Sequence, residues 1–397
     1  MATQPYKGAT TAQFYVEELT AGVTPTSPAW KPLRYTGGVP SITRDALVSN
    51  ELDGSRETSS IRTGNKQVSG EYAIELSARS QDDLLAGAMT SSWQAGVSET
   101  GVTVAVNATT KTFTRSAGNF LTDGVEVGDL IAFTGLAGNN SKPFIVTSVN
   151  DTAIAGDGIN YPLVTAAGVS TDYVTGDKLE TGNLCKTFSI LTWMKGQCGG
   201  ADSFLLTRGV EFSGFSIEQA VNAMVTGSFP FIGLSQEIIQ PIPPSLIPVP
   251  PAGSTFVTDF DAQPFSSVDV SAFNGTAPLT LIDSFTITND NAASAQFELG
   301  NAEVAFVERG RAANTFSLAG KLYSMALHQQ FLNEDQIELT SILSGPDGAM
   351  SFTLKRAEFT TSTIEIGGPE SITISMEGQA TGNSTLSSIV IQRLALA

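Results

Sequence analysis

The residues best suited to chemistry are scattered along this chain. The one histidine, His328, lies in LYSMALHQQF at the expected end of a strand, and no GxSxG elbow precedes it. Ser–His–Asp catalysis would have to run through it, and a lone histidine of this kind reads as a structural or surface residue. Cys185 and Cys198 lack CxxC spacing, and with a single histidine they cannot complete the four soft ligands of a structural zinc site. They read as two buried free thiols, with a hairpin disulfide as the alternative. There is no P-loop, no GxGxxG after a strand and no HExxH. Asp82 and Asp83 suit the first turn of a helix, where carboxylates favour the dipole. Asp259 with Asp261, or Asn289-Asp290-Asn291, would at most hold a loosely bound Ca²⁺, since neither follows the EF-hand spacing. The chain is expected to be no enzyme, with no catalytic residue, metal site or cofactor.

The strongest pattern is a repeat. GADSFLLTRGVEFSGFSIE, from Gly200 to Glu218, returns as GAMSFTLKRAEFTTSTIE from Gly348 to Glu365. With Gly209 taken as a one-residue insertion, 10 of 18 aligned positions match, which reads as a duplicated structural unit. Arg208, Glu211 and Glu218 recur as Arg356, Glu358 and Glu365. A duplicated site would explain them, but Arg208 and Glu211 differ by an odd number and fall on opposite faces of a strand. Strand edges and subunit contacts are the simpler reading.

Composition sets the class. Of 397 residues, 41% are hydrophobic and 15% charged, and Gly contributes 38. Short Val/Ile/Phe/Thr runs between Gly, Asn and Asp describe a β-rich protein, too apolar for disorder. The net charge of −18 argues against tight binding to nucleic acid, which needs a basic surface. An acidic surface instead lets DNA pass without sticking, or serves solubility alone. The N-terminal MATQPYKGATT has no apolar segment of the signal-peptide kind, and no run approaches a membrane span. Synthesis in the cytoplasm follows as an expectation.

Taken in order, residues 1–40 read as an arm with a short strand and then Pro25, Pro28 and Pro32. Phe14, Trp30, Leu33 and Tyr35 are its apolar anchors, packing on the chain's own domain or on a neighbouring subunit. Residues 41–67 read as two strands and an exposed loop carrying Arg44, Glu51, Asp53, Arg56, Glu57, Arg62 and Lys66. Such charges are solvated surface or a contact with an identical copy. A strand from Val68 to Leu76 precedes a helix that Ser80 caps, with Asp83 in the capping-box position. The second copy is expected to match Leu318–Leu322 to Val68–Tyr72, and to place Asn333 as the cap of a helix over EDQIELTSIL. Residues 96–182 interrupt the first copy with a small inserted β-domain, barrel-like or Ig-like, marked by the GVEVGDLI corner. The first unit thus takes residues 41–95 and 183–233. Residues 234–266, with QPIPPSLIPVPPAG, form a semi-rigid Pro-rich linker. Residues 267–397 are the second unit.

In this order FYVEELTAGVTPTSPAWKPLRYTGG, LVSNELDGSRETSSIRTGNKQVSGEYAIEL, SQDDLLAGAM, FLLTRGVEFSGFSIE and VTGSFPFIG resemble the major tail tube proteins of long-tailed bacteriophages. The resemblance covers about residues 10–235 and reaches the second copy through its likeness to the first. It implies two tandem β-sandwich units, each with a short flanking helix, whose sheets join into a barrel around a channel. Rings stack into the tail tube of the virion, through which DNA is ejected without tight binding. The loop at 41–67 and the arm become ring-to-ring contacts, and a tape-measure protein and a tail terminator become partners. Because the unit is duplicated, three chains are expected to make a pseudo-six-fold ring with an acidic lumen. Two other classes fit less of the chain: a tandem Ig-like adhesin or decoration protein, and a polysaccharide-acting enzyme on a β scaffold.

Overall fold

The computed structural model describes residues 5–51, 56–156, 159, 161–198, 200–248, 262–383 and 385–395. The fold is mainly β. The first copy opens with β1 (Thr11–Glu17), β2 (Lys31–Pro32), β3 (Ser41–Val48), β4 (Ile61–Glu75) and helix α1 (Asp82–Ala88). Next come β5 (Ser98–Asn107), β6 (Thr112–Arg115), α2 (Phe120–Asp123), β7 (Leu130–Thr134), β8 (Phe144–Ile145), β9 (Ser148–Val149), β10 (Ala153–Ala155) and β11 (Ala166–Thr175). Strands β5–β11 form a separate seven-stranded sheet around their own aromatic core of Phe113, Phe133, Phe144 and Tyr173.

The first copy resumes through β12 (Asp177–Glu180), β13 (Phe188–Met194), β14 (Ser203–Phe212), β15 (Gly214–Ala220), β16 (Thr226–Gly233) and β17 (Ser235–Ile239). The second copy holds β18 (Val270–Asn274), β19 (Ala277–Pro278), β20 (Ile282–Asp290), β21 (Ser294–Phe297), β22 (Val304–Glu308), β23 (Ala313–Lys321) and α3 (Ala326–Leu332). It ends with β24 (Ile337–Ser344), β25 (Gly348–Glu365), β26 (Thr373–Ala380) and β27 (Ile389–Ala395).

Strand pairing makes the duplication explicit. Phe14 of β1 faces Pro32 of β2, and Phe273 of β18 faces Pro278 of β19. The short strand expected within residues 1–40 is β1, a sheet strand paired along its length with β13 as β18 is with β24. β4 pairs with β16 as β23 pairs with β26, and the long strand β25 stands in for β14 and β15 together. In both copies one layer is β1, β13, β14 and β17, or its equivalent β18, β24, β25 and β27. The other layer is a wall. From β3 it runs through β4, β16, β15, β20, β23 and β26 to the far half of β25, and it crosses from copy to copy without a break. Alternation explains why one face of this wall is buried. Tyr72 and Ile74, Phe215 and Ile217, Phe285 and Ile287, Phe316 and Leu318, and Ile374 and Met376 all point into one contiguous core.

Four expectations need correction. The helix in the first copy starts at Asp82 after Gln81, with no side-chain cap; Ser80 instead bonds Ser77 and Arg34, and Asp83 bonds Lys31 and Tyr15. In the second copy IELTSIL is a strand rather than a helix, and Asn333 ends a helix instead of starting one. That strand is buried on both faces, so its apolar run carries no two-residue period and can be mistaken for a helix. His328 lies within that helix, with its Nδ1 2.9 Å from Ser362 Oγ. Finally, Leu318 rather than Leu322 occupies the place of Tyr72, because Val68 pairs with Gly233 where Asn314 pairs with Ala380.

The Gly209 insertion also disappears. Opposite Ser189, β14 carries the extra residues of a bulge at Arg208-Gly209; opposite Glu338, β25 carries them at Lys355-Arg356. Gly209 (φ 62°) and Arg356 (φ 48°) hold the same left-handed position. Arg208 therefore corresponds in space to Lys355, and the Arg208/Arg356 match is one of letters alone.

Candidate functional site

Among the described residues no group of His, Cys, Asp and Glu is placed to hold a metal ion, and no helix is long and apolar enough to cross a membrane. Cys185 and Cys198 are free but exposed, not buried as expected. The features that stand out are instead a seam and two edges.

The seam lies where β15 of the first copy pairs with β20 of the second, over Gly214–Ala220 against Asp290–Ser284. Glu211 meets Arg309 across it at 2.5 Å, and burial raises the Glu211 carboxyl above its usual range against the pull of that guanidinium. Asp82, in the first turn of α1, is raised by burial in the same way, although Arg393 pairs with it. Arg393 also bonds Asp177 at 3.0 Å and lies 4.4 Å from the centre of the Trp93 ring. Asn291 donates to the Ala88 carbonyl at 2.6 Å. Sequence reading missed Arg309, Arg393 and Asn291; partners as far apart as 98, 311 and 203 positions leave no local pattern to find.

The inserted sheet belongs to the first copy by sequence but docks on the second. β12 pairs with β27, Gln392 bonds both Leu130 N and Gly128 O, and Leu130 and Ala132 pack with Phe273, Ile342, Ala349 and Leu394.

The two edges terminate the wall. β3 pairs only with β4, and β25 beyond Ala357 only with β26, among the described residues. These strands are counterparts of β20 and β15, the two that meet at the seam. Most of the charged-loop residues ride on the β3 edge. Arg44 and Arg62 are exposed on β3 and β4, and Glu51, Arg56 and Glu57 are exposed at the hairpin end. Asp53 lies outside the described residues. Lys66 is drawn to the hairpin of β21 and β22, with its Nζ 3.0 Å from Glu303 Oε1.

The arm residues are covered within the chain. Phe14 and Trp30 pack on Leu191, Phe204 and Leu206, Trp30 Nε1 donates to Leu246 O at 2.9 Å, Leu33 enters the main core and Tyr35 meets Tyr72 edge-on. The repeat-matched residues do not converge. Arg208 pairs with Glu237 at 2.5 Å; Glu218 and Glu365 are exposed on the polar face of the wall. Glu358, the counterpart of the seam residue Glu211, stands at the open edge and accepts from Gln336 at 2.6 Å, with Arg356 beside it.

The wall of this two-layered β protein thus ends in two open strands whose counterparts pair with each other inside the chain. The sequence profile of the phage tail tube protein family matches residues 8–380, and the chain belongs to that family. The family is one of structural virion proteins of the tail, not of enzymes. A search of curated proteins finds no match.

Proposed function

We propose that three of these chains close into a ring, and that stacked rings form the tube through which DNA leaves the virion. The observation that carries this reading is the seam. Inside one chain, β15 and β20 already make the joint that neighbouring units of a ring would need, while their counterparts, β25 and β3, are left open. Transferring the seam register to those edges sets Thr43 opposite Thr361, Ile42 opposite Ser362 and Ser41 opposite Thr363 of the next chain. Closure of this kind also removes the exposed strand edges that would otherwise template uncontrolled association. A shared wall favours both copies lining the channel over a second copy held outside as decoration.

The face of the wall away from the core suits passage of DNA. One row across it reads Glu75, Thr226, Glu218, Thr286, Ser317, Glu377, Thr361. Glu71, Asp290 and Glu365 share this face, and Lys321 is the counter-charge among its described strand positions. Such a surface repels phosphates over the Debye length of roughly 8–10 Å. The hairpins β3–β4 and β21–β22, linked by Lys66 and Glu303, are the contacts between stacked rings in this reading.

A cross-link tests the joint. In the seam Ser216 Oγ and Thr288 Oγ1 lie 3.2 Å apart, and their counterparts are Thr363 and Ser41. In a chain with Cys185 and Cys198 changed to Ser, Ser41→Cys with Thr363→Cys should oxidise to covalent species that end at three chains. A ladder continuing to six, or tubes that form without any cross-link, would contradict the reading.

A further inference from the structure

We infer that Arg44 of one chain closes over the C-terminal turn of α3 in the next, and that Ile42 beside it is buried by the same contact. This rests on the ring reading above. The two helices α1 and α3 are counterparts: each has seven residues, and the chain after each turns through a left-handed residue, Thr90 (φ 51°) or Glu334 (φ 58°). Their closing backbone bonds agree as well, with Ser91 N to Ala86 O matched by Asp335 N to Gln330 O. Their surroundings do not agree. Every residue from Leu84 to Ala88 is buried in α1, whereas α3 has none buried. Leu332, in the place of the fully buried Ala88, is 60% exposed.

The end of α1 is covered by the first copy's own segment Gly182–Leu184, whose N–H groups donate to Met89 O and Thr90 O, and by the second copy's Asn291, which directly follows β20 and donates to the Ala88 carbonyl. Its own N–H bonds Ser213 O at 2.9 Å, which fixes it to the seam. Following the register of β3 on β4 against that of β20 on β23, Thr43 answers Asp290, so Arg44 stands where Asn291 does. Ile42 answers Asn289. Asn289 is 2% exposed in the seam; Ile42 is 41% exposed on the open edge.

Charge supports the pairing independently. Asn291 is neutral and bonds the last carbonyl of α1, and the turn that follows that helix, Thr90-Ser91, is neutral too. Arg44 is cationic, and the corresponding turn after α3 is Glu334-Asp335, with Glu358 nearby in place of Glu211 and Arg356, which donates to Gln336, in place of Gly209. The exchange of amide for guanidinium on one side is thus accompanied by an exchange of hydroxyls for carboxylates on the other. At a contact between chains, such complementarity also selects the correct neighbour.

The test uses the full chain and follows polymerisation by sedimentation and electron microscopy. Arg44→Glu should raise the concentration needed for tube formation about tenfold or more, since it sets like charges against each other. The melting temperature of the unassembled chain should not change, because Arg44 is exposed there. Combining Arg44→Glu with Glu334→Arg and Asp335→Arg should recover most of the loss, and Arg44→Asn should be milder than Arg44→Glu. Tubes formed by Arg44→Glu at the unmodified protein's threshold, or a charge exchange that recovers nothing, would overturn this inference and leave the ring reading intact. An unmodified chain that never polymerises would overturn the ring reading itself.

Discussion

At the scale of residues, the bulge shows how one backbone requirement is met by two unlike side chains. A left-handed residue is needed where β14 and β25 step from one layer to the other, and glycine meets it without a steric cost. Gly209 has little room besides, since a Cβ there would lie 2.4 Å from Leu234 Cγ. Gly209→Ala should therefore destabilise the chain by about 1–3 kcal/mol. Arg356 holds the same conformation with a side chain, so Arg356→Gly should be neutral or stabilising by up to about 1 kcal/mol. Chemical denaturation of the two variants checks both signs; a loss of stability in Arg356→Gly equal to that in Gly209→Ala would show that the positions are not equivalent. The sequence repeat found this segment but aligned it one residue out over its first half. The reason is physical: in the first copy Phe204 and Leu206 point away from the main core, toward Phe14 and Trp30, whereas Phe352 and Leu354 point into it. Identical letters here lie on opposite faces.

At the scale of elements, the duplicated wall preserves volume rather than residue identity. Phe231 of β16 lies opposite Gly70 of β4, while in the second copy Phe316 of β23 lies opposite Gly378 of β26. The large and small members have changed strands. A Cβ on Gly70 would sit 2.7 Å from the Phe231 ring, and one on Gly378 2.4 Å from the Phe316 ring. Both rings meet the same neighbour edge-on, Phe212 in one copy and Phe359 in the other. Phe231→Gly alone should cost roughly 3–5 kcal/mol through the cavity it leaves, and Gly70→Phe alone should overpack. The double exchange should lose less than the sum of the two, a coupling that a double-mutant cycle reads directly; strict additivity would count against it. This exchange is also why strand β23 could not be aligned correctly by letters. The alternation of wall strands, the inserted sheet and the existence of two copies were legible, because period and turn residues are local. The buried strand Ile337–Ser344 was not, since burial on both faces removes the period that distinguishes strand from helix.

At the scale of the molecule, the sequence suggested that the repeat and the charged loop belong to subunit edges; in the fold, β3 and the far half of β25 each pair on one side among the described residues. One chain contains a completed seam, held by strand pairing, by Glu211 with Arg309 and by Asn291 on α1. Its two open strands, β3 and the far half of β25, are the counterparts of the two that meet in that seam. The inserted sheet packs on the β18–β24–β25–β27 layer of the second copy, whereas the segment around Trp30 covers the β1–β13–β14–β17 layer of the first, so in the proposed ring these coverings would alternate and repeat once per chain. The most direct measurement is the rotational symmetry of an imaged tube assembled from the purified chain. Three chains per ring, with a wall that is nearly six-fold and three inserted sheets outside it, is the predicted result. Six chains per ring, or a second copy standing outside the wall, would contradict the account.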